Sequence, residues 1–499
     1  MIRSLSPSEK RYFKIFASKN TQSSKQNYLK VWREIDRQSD YDEAAILDKL
    51  DDPKLKSQFP VIKHYLYNLV LKSLRNYHSS NSVDFKLKEM LMNVEILHNK
   101  DLIAQCLKVL EKAQRLASEY ERFEYLFEIF SLRISLALKG KEFNLDKLEQ
   151  QLESYFMESQ QYFDRFFNIQ QYKVMSLKML LLNRKEQHMR SPEVVSRVRA
   201  IIENPLLQDE AHVLSERARI FYYQTLFIRQ FSEGNHLESY RLAYKIVDLM
   251  ETHSWIIEER PENYLTSFQN MTMVSTLVLT LDKAVAEIRR LRDFSSRLPH
   301  IKFDKKLEEK TITMALNMEL ILYLRNSMIE EGLSILPQVR EHLSQGSEFV
   351  NVNDGFIRLS LCSNAASLYF MAGDYEAARP FISKLLQERS ISDQFEIFLS
   401  ARVMWIILLY ETGDIRTMEY ALVSLYRFLR KRDQPYLLER AMLRFIRESS
   451  GLRTDKQLQT KLQGVKEELL KLREKEGVYR SYATDGWIHW LEQKALESV

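Results

Sequence analysis

The chain has 499 residues, 45% hydrophobic and 28% charged, enough apolar surface to bury a core and too much for a disordered chain. Only 11 Gly and 10 Pro occur, and the first Gly is residue 140; ordinary usage is about 7% and 5%, so sandwiches, barrels and doubly wound sheets with Gly-rich turns are excluded and an all-α fold is expected. The net charge of +5 is concentrated at the amino end, where residues 1–80 carry 15 Lys or Arg against 9 Asp or Glu, so any basic footprint belongs there.

Residues 1–80 read as an N-terminal module of four short helices. Ser6 before Pro7 is a helix start, an N-cap residue followed by proline at the first helical position. Tyr12, Phe13 and Phe16 give that helix its apolar face. Tyr28–Ile35 and Glu43–Leu50 supply the next two helices, and Pro60 opens a longer one through Tyr77. That last helix holds Lys63, His64, Lys72, Arg75 and His78 with no acid, interleaved with Tyr65, Tyr67 and Tyr77. Lys63, Lys72 and Arg75 are therefore candidate nucleic-acid contacts, cations for phosphates beside rings for bases. Ile62, Leu66, Leu69, Val70 and Leu74 form a buried stripe on the same helix, and an ordinary solvated face explains the cations equally. Ser79-Ser80-Asn81-Ser82 is the expected linker.

From residue 84 long amphipathic stretches alternate with breaks near Lys100, Gly140, Arg184–Ser191, Gly234, Leu281–Asp282, Ser327, Gly373 and Gly413. Cys106 and Cys362 sit inside apolar-periodic stretches, as small buried hydrophobes do. The aromatic-rich segment Tyr155–Tyr172 is expected to be core, with a ligand groove as the alternative.

The clearest unit is Ala365–Leu386, AASLYFMAGDYEAARPFISKLL. Small Ala366 precedes Tyr369, Gly373-Asp374-Tyr375 ends one helix and starts another, and Ala378 and Ile382 share a face of the second. This order resembles a tetratricopeptide repeat. The resemblance implies a right-handed superhelical solenoid of about eight antiparallel helix pairs over residues 84–450. It also implies a protein or peptide partner on the concave face, here Ser360, Asn364, Ser367, Phe370 and Met371. Family members that grip a carboxylate use Asn, Lys and Arg on consecutive first helices. Asn364 matches one such Asn, but Met404 and Met318 stand at the equivalent positions, so the clamp is incomplete. Leu385 and Ser390 depart from the family pattern, and Pro380 falls within the expected second helix.

Residues 451–499 are expected to form a helical cap. Leu458, Leu462, Val465, Leu469 and Leu472 make a narrow seam. Asp485 is expected to cap a last helix whose Trp487, Ile488, Trp490 and Leu491 seal the open end of the array.

No P-loop, GxGxxG, GxSxG, CxxC or HExxH sequence occurs, and the ten His are scattered, so no enzyme, metal site or cofactor is expected. The amino end lacks a signal-peptide core, no stretch suits a membrane span, and two distant Cys fit a reducing cytoplasm. The expected function is a non-enzymatic cytoplasmic scaffold or adaptor. The alternative is a regulator resembling bacterial peptide sensors, with a nucleic-acid-binding head controlled by a repeat body.

Overall fold

The computed structural model describes residues 1–19, 27–38, 40–50, 53–78, 82–137, 145–185, 192–298, 301, 305–345, 352–387, 395–430, 437–449, 455–476 and 481–497. Among these residues every regular element is a helix and none is a strand. The expected linker residues 79–81 and the break at Gly140 lie outside the described residues, as does Ser390. The chain forms two compact units, Met1–Ile169 and Gln170–Val499.

The first unit begins with α1 (Pro7–Lys19), α2 (Asn27–Arg37), α3 (Glu43–Lys49), α4 (Pro53–Ser57) and α5 (Phe59–His78). Short α4, between the expected helix ending near Leu50 and the one expected from Pro60, is an element the sequence did not announce. The start of α1 is a reciprocal capping box: the Glu9 amide donates to Ser6 Oγ at 3.2 Å, and the Ser6 amide donates to Glu9 Oε2 at 2.7 Å. These helices share one core in which Phe13 stacks on Trp32 at 5.6 Å, and Leu66, Leu69 and Val70 of α5 complete it. There follow α6 (Val83–His98), α7 (Ile103–Glu119) and α8 (Phe123–Ala137). The boundary between units falls inside α9 (Leu145–Lys185), a helix of 41 residues.

The second unit continues with α10 (Pro192–Ile202), α11 (Glu216–Ser232), α12 (His236–Thr252), α13 (Ser254–Glu259), α14 (Pro261–Val278), α15 (Leu281–Arg292), α16 (Phe294–Arg297), α17 (Lys305–Arg325) and α18 (Ile329–Gln345). Then come α19 (Val352–Met371), α20 (Tyr375–Gln387), α21 (Phe395–Glu411), α22 (Ile415–Arg430), α23 (Leu437–Ser449), α24 (Asp455–Glu476) and α25 (Ser481–Glu497). From α14 to α21 the packing repeats. Each first helix (α14, α17, α19, α21) lies against its own partner and against the next first helix, and each second helix (α15, α18, α20) lies against the following first helix. Ala366 and Ala378 are fully buried in the core that α19 and α20 share. Pro380 is accommodated within α20, and Pro337 within α18.

One turn geometry recurs. At Asp101, Glu121, Gly234, Ser327, Gly373 and Gly413 the backbone takes a positive φ between 48° and 81°. At each, the amide of that residue bonds three residues back and the next amide bonds five back. At Gly373 these are Gly373 to the Phe370 carbonyl, 3.1 Å, and Asp374 to the Tyr369 carbonyl, 3.0 Å. This pair of bonds is the Schellman motif, which satisfies carbonyls that a helix end leaves open. Asp374 and Asp414 then cap the following helices, accepting from the Ala377 and Thr417 amides at 3.0 and 3.1 Å.

At the carboxyl end, Leu462, Val465 and Leu469 of α24 are buried as the seam predicts. Asp485 does not start the last helix: α25 begins four residues earlier, at Ser481.

Candidate functional site

The five residues assigned to a partner-binding face all lie on α19, but the structure does not leave them together on a surface. Phe370 and Met371 are core residues, buried within the same apolar cluster as Ala366 and Ile382. The Phe370 ring meets Tyr375 edge-on at 5.2 Å, and the Met371 carbonyl accepts from Gln493 Nε2 of α25 at 3.1 Å. Both side chains are therefore covered by the chain's own helices rather than standing on an open face. Ser360, Asn364 and Ser367 are partly exposed and bind neighbouring helices. Asn364 Nδ2 donates to Asn317 Oδ1 at 2.8 Å, and Asn317 Nδ2 donates to Ser360 Oγ at 3.2 Å. Ser367 Oγ donates to Met404 Sδ of α21 at 3.8 Å.

Asn317 is the functional-type residue that the fixed spacing missed. Counting nine residues back from the turn residue lands on Met318, whereas Asn317 lies ten back from Ser327. Asn317 is nearly fully buried, so its amide needs the two partners it has. The ladder Asn364–Asn317–Ser360 joins α17 to α19 and sets their register.

On α5, Lys63 is committed within the fold. Its Nζ donates to Glu43 Oε2 at 2.7 Å and to the Tyr41 hydroxyl at 3.3 Å, and the Glu43 carboxylate, followed by Tyr41, holds the ammonium above the usual lysine value. Lys72 and Arg75 are solvent-exposed, with Tyr65 and Tyr67 exposed on the same helix.

The segment 155–172 splits into two stripes. Tyr172 is fully buried, and Tyr155 and Tyr162 pack on Phe130 at 5.8 and 5.5 Å, which is the expected core face. Phe156, Phe163 and Phe167 point the other way, with 64%, 53% and 53% of their surface exposed. Phe163 stacks on Phe167 at 6.2 Å, and exposed Phe127 of α8 lies 6.5 Å from Phe163. The signal was present in the sequence, because residues 156, 163 and 167 repeat at helical spacing out of phase with 155, 162 and 172. One buried stripe cannot absorb both sets.

Polar clusters elsewhere are closed on themselves. Glu251 accepts from the Tyr264 hydroxyl at 2.5 Å and pairs with both Arg290 and Arg297 at 3.2 Å; burial, then the bond to Glu251, raises the Tyr264 phenol well above its usual value. Burial pushes the Cys362 thiol up to about 12, and its Sγ donates to the Phe381 carbonyl at 3.6 Å, so it is no nucleophile at neutral pH. Among the described residues no group of three or more His, Cys, Asp or Glu is placed to hold a metal ion, and no helix is long and apolar enough to cross a membrane.

No family model matches the chain, and no curated protein matches it significantly.

Proposed function

We propose that the chain is a non-enzymatic protein-interaction scaffold of the cytoplasm, its helix pairs continuing as a right-handed tetratricopeptide-like superhelix. The observation that carries a binding role is the Phe127–Phe163–Phe167 ladder on α8 and α9, with Phe156 two helical turns before Phe163; all four phenyl rings are more than half exposed. Contiguous exposed apolar surface of this kind marks interaction sites in soluble proteins, and each ring withdrawn from water contributes roughly 25 cal/mol per Å². The partner that suits it is an apolar or mixed peptide or helix.

Affinity capture from lysate with the wild-type chain and with the Phe163→Ser, Phe167→Ser double variant tests this reading. Both side chains face solvent, so the variant is expected to fold and to lose captured proteins. An identical set of proteins on both baits defeats the reading. A second reading, the nucleic-acid-binding regulator, is favoured by Lys72 and Arg75 standing in solvent with Tyr65 and Tyr67. It requires the full chain to bind DNA or RNA with an affinity that falls steeply as salt rises.

A further inference from the structure

The last helix lies outside the pairwise order of the second unit. Instead of packing only on its predecessor α24, α25 lies across α17 and α19 as well. Its second tryptophan, Trp490, reaches further, standing between the rings of Tyr410 on α21 and Phe445 on α23, each 6.0 Å away. One helix thus touches the first helices of four consecutive pairs, α17, α19, α21 and α23. The helix expected to seal the end of the array is seated along this row.

The attachment has apolar anchors and a polar rim. Trp487, Trp490 and Leu491 are almost completely buried in the core formed by those helices. Trp490 Nε1 donates to Glu411 Oε1 at 2.7 Å, and Lys494 Nζ pairs with Glu411 Oε2 at 2.7 Å. Gln493 Nε2 caps the Met371 carbonyl. Met371 and Glu411 are the last residues of α19 and α21, where helix carbonyls are open and a cation is favoured. Two groups oppose the docking: Trp487 Nε1 and His489 Nε2 are buried and find no hydrogen-bond partner among the described residues. A buried donor left unpaired shifts such an equilibrium by about tenfold or more.

We propose that α25 is a removable occupant of the face built by α17, α19 and α21, and that the face receives an amphipathic helix of a partner protein. The occupant defines the partner's chemistry: two aromatic anchors three residues apart, and a base four residues after the second to meet Glu411. Partner binding then requires α25 to leave, so the carboxyl helix sets the threshold for binding in proportion to its own stability in the seat. The proposal rests on the scaffold reading for the existence of a partner, but not on the α8–α9 ladder.

The test uses the full chain and, as probe, a fluorescent synthetic peptide with the sequence of residues 481–497. Lys494→Glu reverses a rim charge opposite Glu411 without touching the core, and Trp490→Ala removes the deeper anchor. The chain carrying either substitution is expected to bind the peptide at least tenfold more tightly than wild type. A peptide with both tryptophans replaced by alanine is expected not to bind. In the wild-type chain, amides of α25 are expected to exchange with deuterium at least tenfold faster than those of α21, through local opening. Equal protection of α25 and α21, or no binding of the peptide to the Lys494→Glu chain, overturns the proposal. Either result leaves the capture experiment on Phe163 and Phe167 untouched, so the two failures are distinguishable.

Discussion

Gly332 shows how tightly single positions are determined. A Cβ placed there would stand 2.5 Å from Leu368 Cδ2 and 3.2 Å from its Cγ, and Leu368 is itself fully buried. Gly332→Ala is therefore expected to cost roughly 1–3 kcal/mol by overpacking, read as a fall in denaturation midpoint. An unchanged midpoint would mean that α18 and α19 separate freely. His342 makes the corresponding electrostatic case. Its Nε2 lies 2.7 Å from Thr313 Oγ1, and burial, then nearby Arg358, lower its pKa below 6.5 against the opposing effect of Glu309. The unfolded chain binds this proton more readily than the folded one, so stability falls as pH drops through and below 6.5. Thermal melts between pH 7.5 and 5 are expected to fall less for His342→Gln than for wild type; parallel curves would remove His342 as a cause. Cys106 and Cys362 are both buried, and a thiol reagent is expected to modify neither until the chain is denatured.

At the scale of elements, the Schellman turns divide what was legible from what was not. Gly234, Gly373 and Gly413 announced their turns, because glycine takes the left-handed conformation at little cost. Glu121 takes the same conformation at φ 48° without glycine to signal it, and the α7–α8 turn was missed. The register of α17 was lost for a related reason, since its turn stands one residue farther from the polar ladder than the glycine turn of α19 does. Burial on α19 was not legible because its neighbours come from distant and local sequence alike: α25 packs on it at Met371, and Phe370 is turned toward Tyr375. The backbone bonds are shared by all six turns, so the glycines differ from the others only in strain. Ser327→Gly is expected to stabilise by roughly 0.5–1 kcal/mol. Gly413→Ala, with no atom within 4 Å of the added Cβ, is expected to destabilise by about 1 kcal/mol. Opposite signs in chemical denaturation verify the pair, and a destabilising Ser327→Gly contradicts it.

For the whole molecule, periodicity and scarce Gly were enough to give the all-α class seen among the described residues, and α1 to α5 share a core around Phe13, Trp32 and Val70. The division at Ile169 was not legible, since no change in composition marks a boundary inside a continuous helix. Two compact units with cores of their own are expected to unfold in more than one step. Val70→Ala, a substitution in the first core, is expected to lower one calorimetric transition and leave another in place; a single transition that shifts as a whole contradicts this. The recurring turns carry one more consequence. Their hydrogen bonds run between main-chain atoms, so sequence can drift at the turn while the joint keeps its shape, as Asp101, Glu121 and Ser327 already illustrate. Ancestry in such a chain fades from the letters sooner than from the joints, and its kin will be recognised by superposing joints.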